Sequence, residues 1–76
     1  MSQEEISDAQ AMNAIEVLIA KGEVLIRRSP LGDGGVQCIW EAHRTERQGS
    51  IASSVRHAIY ETAQKVQEAQ EETEIH

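Results

Sequence analysis

Between residues 8 and 21 the apolar side chains Ala11, Met12, Ile15, Leu18 and Ile19 recur at steps of three and four, which is the spacing of one helix face. Ser7 followed by Gln10 supplies a capping box, and Ser2 followed by Glu5 supplies a second. Acidic residues crowd the start of this segment, where the helix dipole favours them, and Gly22 stands just past Lys21, where a C-terminal cap belongs. The period then falls to two. In 23–29 Val24 and Ile26 share one face and Leu25 and Arg27 the other; in 36–44 Val36, Cys38, Trp40 and Ala42 share one face and Gln37, Ile39, Glu41 and His43 the other. The segment between them, SPLGDGG, has the proline, aspartate and glycines of a turn, so the two strands are expected to form an antiparallel hairpin. From 50 to 70 the helical period returns. Ile51, Val55, Ala58, Ile59, Thr62, Ala63, Val66 and Ala69 make one stripe, with Ser50 as the N-cap.

These elements predict an α+β fold, a small helix-strand-strand-helix (αββα) domain in which two helices pack on an antiparallel hairpin. The whole chain, 1–76, is one domain, with 1–6 and 71–76 frayed. An isolated two-stranded hairpin is marginal, and the second helix is longer than such a hairpin can cover. Leu25 and Ile39 face away from the helices. The expectation is a homodimer, with Ile59, Ala63, Val66, Leu25 and Ile39 at its interface.

Composition supports a shortage of core. A chain of 76 residues buries only ~60% of its unfolded surface. Small scaffolds usually add a disulfide framework, a metal or a partner chain. Cys38 is alone, which excludes an internal disulfide, and no zinc-type cysteine pair exists. No cofactor is implied. The acidic N-terminus lacks the basic and apolar regions of a signal peptide, and no apolar run approaches a membrane span. A lone thiol suits a reducing compartment, so a cytoplasmic location without membrane contact is expected. The net charge of -6 is uneven: the two ends are acidic, while residues 21–56 carry six basic against four acidic side chains. That field disfavours nucleic acid, and one Trp, one Tyr and no Phe leave few rings for stacking bases.

The candidate chemistry clusters in 29–43, SPLGDGGVQCIWEAH. A phosphate loop needs a lysine and a hydroxyl residue after the last glycine, opening a helix. This run opens a strand, so its glycines read as turn positions. Cys38 as a nucleophile would need His43 or His57 as base, yet alternation sets Cys38 and His43 on opposite strand faces. The spacing of Cys38, His43 and His57 matches no zinc pattern, and no metal site is expected. The remaining candidates are Arg27, Arg28, Arg44, Arg47 and Arg56, whose guanidinium forks suit a phosphate or an acidic partner. Two of them lie near the turn and two at the open end of the hairpin, so one chain holds two separate basic spots.

In size and layout the chain resembles small accessory proteins of bacteriophages and mobile elements, a resemblance that carries no site. The sequence therefore favours a non-enzymatic binding protein, acting as a homodimer that inhibits or adapts a macromolecular protein partner. The alternative is a binder of an anionic small molecule such as a nucleotide, held by arginines at the dimer interface. A transcription regulator is disfavoured, since the second helix and the tail after it, residues 50–76, carry Arg56 and Lys65 against five glutamates.

Overall fold

Helix α1 covers Asp8–Lys21 and starts on the expected cap: the Ser7 side chain accepts from the Gln10 backbone, and the Gln10 side chain accepts from the Ser7 backbone at 2.9 Å. Ile6, expected to fray with the other leading residues, is buried just ahead of that cap, as is Ala11 one turn on. That is the arrangement of a hydrophobic staple. The computed structural model describes residues 5–43 and 46–74, so the second box at Ser2 lies outside the described residues, and of the tail 71–76 expected to fray, 71–74 continue a helix while 75 and 76 lie outside the described residues.

Strand β1 (Glu23–Arg28) follows α1 after a single residue. Gly22 is the expected helix stop, but its φ of -177° is extended and needs no glycine. The reason for glycine is space: a Cβ there would lie 2.3 Å from the Glu41 carbonyl oxygen and 2.9 Å from the indole nitrogen of Trp40. β1 pairs antiparallel with β2 (Val36–Ala42) in the predicted hairpin, with Leu25 opposite Ile39 and Ile26 opposite Cys38. Its turn uses Gly32 and Gly34 at φ of 71° and 79°, values that glycine adopts freely. Gly35 N–H donates to the Asp33 carboxylate at 2.8 Å, and this bond holds the Asp33 carboxyl below its usual range.

The main correction concerns the segment after β2. Residues Glu46–Ala52 are not the start of a helix but a third strand, β3, antiparallel to β2, so the sheet order is β1-β2-β3 and the domain is αβββα. Helix α2 begins only at Val55 and runs to Glu74. Its N-cap is Ser54 rather than Ser50: Ser54 Oγ accepts from His57 N–H at 3.3 Å and lies 2.7 Å from His57 Nδ1. The chain reverses between β2 and β3 with His43 at φ 58°, the one non-glycine residue in left-handed backbone among those described. The third strand also changes the element order on which the likeness to phage accessory proteins stood.

Both helices lie on one side of the sheet, α2 across β2 and β3, and α1 against α2 and β1. The core between the layers holds Ala14, Leu18, Cys38, Trp40, Ala42, Ala58, Ile59, Ala63 and Val66. Under α2 both surfaces are small: Cys38, Ser50 and Ala52 on the sheet meet a helix face that includes Ala58, Thr62 and Ala63. Such side chains let a helix approach a sheet closely. Thr62 satisfies its hydroxyl within the helix, donating to the Ala58 carbonyl at 2.8 Å, whereas Ser50 Oγ is buried without a partner. No helix among the described residues is long and apolar enough to cross a membrane.

This packing removes the reason for placing Ile59, Ala63 and Val66 at a subunit interface. All three are buried within the chain itself. A two-stranded sheet leaves the far end of α2 without cover; β3 and α1 provide it. Leu25 and Ile39 remain on the opposite sheet face, as the alternation predicts.

Candidate functional site

Among the described residues, nothing forms a second layer on the sheet face turned away from the helices. The strand register sets its residues in three rows across the strands: Glu23, Glu41 and Arg47; Leu25, Ile39 and Gly49; Arg27, Gln37 and Ile51. An apolar middle row is thus bounded by two polar ones. Ile39, at the centre, is 9% exposed although no helix covers it, because longer neighbours ring it; Leu25 beside it is 52% exposed. Gly49 completes the row without a side chain. Two shallow depressions open on either side of Ile39 and Arg47, of about 590 Å³ toward Ile51 and Lys65 and about 320 Å³ toward Glu23 and Leu25.

The charges on this face balance. Arg47 Nε lies 3.4 Å from Glu41 Oε2, and Arg27 Nε donates to Gln37 Oε1 at 2.7 Å. Exposed pairs of this kind contribute little stability, so both arginines are available to other partners at low cost. The arginines do not converge. Arg27 and Arg47 sit in opposite polar rows of the open face, Arg28 belongs to the helix-facing set of β1, and Arg56 on α2 pairs with Asp8 of α1 at 2.6 Å. Arg44 lies outside the described residues. No group of three or more His, Cys, Asp or Glu that could hold a metal ion occurs among the described residues.

Cys38 is fully buried on the helix-facing side of β2, beneath Thr62 of α2. Desolvation pushes its thiol above the usual value, and a hydrogen bond with Thr62 offsets this only in part. A buried thiol of raised pKa is a poor nucleophile. It also makes stability depend on pH. Once the pH passes the ordinary thiol pKa, about 8.5, the unfolded chain releases the proton and the folded chain keeps it, so folding weakens as pH rises. Wild type is therefore expected to lose stability above about pH 8.5 faster than Cys38→Ala, measured by urea unfolding at each pH. Parallel curves for the two proteins would show that the thiol does not titrate differently in the folded state.

Sequence reasoning found Leu25 and Ile39 but missed Ile51, Arg47 and Gly49 as members of the same face, because 46–52 has no strand signature. The only signal was the period-two set Gln48, Ser50, Ala52, small and polar enough to pass for a helix start. No protein-family model matches the chain, and neither a curated protein nor a solved structure does.

Proposed function

We propose that the chain is a non-enzymatic binding protein that works as a homodimer and holds a protein partner on the open face of its sheet. The observation that supports this reading is the uncovered apolar row of Leu25, Ile39 and Gly49, extended by the exposed Ile51 and flanked by both signs of charge. An apolar centre inside a mixed polar rim is the anatomy of a protein–protein contact. A nucleic-acid surface would be dominated by basic residues, and here two arginines are matched by two glutamates. A phosphate-bearing ligand has less support, since Arg27, Arg47 and Arg56 are engaged separately and point to no common centre.

Ile51→Glu tests the reading. Ile51 is exposed on β3, remote from β1, so the substitution should leave folding and self-association as they are. Recovery of the bound protein from a cell lysate is expected to fall about tenfold or more, the effect of losing one apolar anchor and burying a charge in its place. Equal recovery by wild type and variant, with unchanged circular dichroism, would remove this face as the contact.

A further inference from the structure

We infer that two copies of the chain join through their β1 strands, antiparallel and with Leu25 on the two-fold axis, to make one continuous six-stranded sheet. This rests on the homodimer reading above and assigns its interface.

The argument starts from which backbone groups are free. Ser29 N–H donates to the Gly35 carbonyl at 3.0 Å, one step beyond the Arg28–Val36 pair. Bonded pairs alternate along an antiparallel ladder. Glu23, Leu25 and Arg27 therefore direct their backbone groups at β2, and Val24, Ile26 and Arg28 direct theirs outward. The same count along β3 turns Arg47, Gly49 and Ile51 outward. The two edges are not equivalent, however. On β3 the Gly49 carbonyl accepts from Lys65 Nζ of α2 at 2.7 Å, so a lysine blocks the middle of that edge, a common protection against strand addition. Among the described residues, β1 has no such guard. Its Ile26 is 36% exposed on the very face the helices should cover, and a groove of about 660 Å³ runs beside it, lined by Arg28, Val36, Val55 and the hairpin turn.

The sequence of β1 says what fits there. Residues 23–27 read Glu-Val-Leu-Ile-Arg, and they complement themselves about Leu25. A two-fold axis normal to the sheet pairs positions equally distant from it. Leu25 meets Leu25 of the other copy and Glu23 meets Arg27, twice, on the open face; Val24 meets Ile26, twice, on the helix side. The outward-directed groups of Val24 and Ile26 are those that bond in this register, so Leu25 falls at a non-bonded pair, where Cα atoms approach to about 4.5 Å. Opposite charges directly across such a ladder are favourable and like charges unfavourable. A second observation agrees. On α1, Leu18 faces the core and Lys21 reaches Gln70 of α2. Helical spacing then puts Met12 and Ile19 on the flank turned away from α2, over the β1 edge, and they are 59% and 61% exposed. The same axis runs the two α1 helices antiparallel and covers that flank, Met12 of one copy near Ile19 of the other.

The test uses charge reversal. Glu23→Arg and Arg27→Glu each set like charges across both pairs, and each is expected to weaken the wild-type dimer about tenfold or more in sedimentation equilibrium. An equimolar mixture of the two variants should restore the dimer, since one copy then presents two arginines to two glutamates of the other. Leu25→Cys should cross-link to itself under mild oxidation, because the expected Cα separation suits a disulfide. Both charge positions are exposed, so folding should be retained in every variant. A wild type that is monomeric at micromolar concentration overturns the homodimer reading and this interface together. A dimeric wild type that neither reversal weakens overturns this interface alone, and leaves the β1 edge to an extended segment of another protein. Two weakened variants whose mixture stays monomeric overturn the Glu23–Arg27 register.

Discussion

Trp40→Ala is expected to leave the chain largely unfolded in dilute buffer, with a loss of about 3–5 kcal/mol. That is most of the stability a small domain holds. Three things depend on this side chain. It is the largest group of the core, in a chain that has no Phe. Its indole N–H donates to the Leu18 carbonyl at 2.9 Å, a carbonyl that also accepts the Gly22 N–H at 2.9 Å. The last turn of α1 is thereby fastened to the central strand. Its indole nitrogen also stands where a side chain at position 22 would have to go, so the tight passage from α1 into β1 is shaped around it. Trp40→Phe separates volume from hydrogen bonding: it keeps a ring but leaves the buried Leu18 carbonyl with one donor fewer, at about 1–3 kcal/mol. Urea unfolding followed by circular dichroism should rank wild type above Trp40→Phe and Trp40→Phe above Trp40→Ala. An unchanged midpoint for Trp40→Ala would mean that the indole is not what ties α1 to the sheet.

What could be read from the chain follows from how locally each feature is encoded. α1 carries its own cap and stop within a few residues, and the structure places its ends at Asp8 and Lys21; its stripe is only partly the core face, since Ala11 and Leu18 are buried with Ala14 while Met12 and Ile19 are exposed. The hairpin is equally local: two alternating segments and a turn whose glycines sit at positive φ. Trp40 and Cys38 were legible as core because alternation puts them beside Val36 and Ala42. β3 was not legible. Its sequence, ERQGSIA, has one β-branched residue, Ile51, and no aromatic, too few of the residues that mark strands. It is a strand because β2 offers it a full ladder and α2 covers its Ser50 and Ala52, and both causes are distant in sequence. Without β3, Ile51 falls at helical spacing from Val55, Ser50 takes the place of a cap, and α2 is too long for its sheet. The interface assigned to Ile59, Ala63 and Val66 was a consequence of that one omission. The open face was half legible for the same reason, since a single hairpin shows Leu25 and Ile39 but not the two outer rows that Arg47 and Ile51 complete.

Val66→Glu distinguishes the two pictures of α2. Were Val66 at a subunit interface, a glutamate there would face its symmetry mate, and the result would be separated but folded monomers. The structure buries Val66 inside one chain, among the residues that join α2 to the sheet and α1. A glutamate at this site loses its hydration with no basic group of the core set to receive it, and it displaces the only branched aliphatic side chain on that turn. An unpaired charge in such surroundings costs several kcal/mol, on the order of the whole stability of a small domain. The variant is expected to lose its helical circular dichroism at every concentration, and to raise no folded monomer in sedimentation. The charge reversals at Glu23 and Arg27 should do the opposite, separating copies that stay folded. A folded, monomeric Val66→Glu would return α2 to the interface; loss of folding fixes Val66 as part of the core on which both the open face and the β1 edge depend.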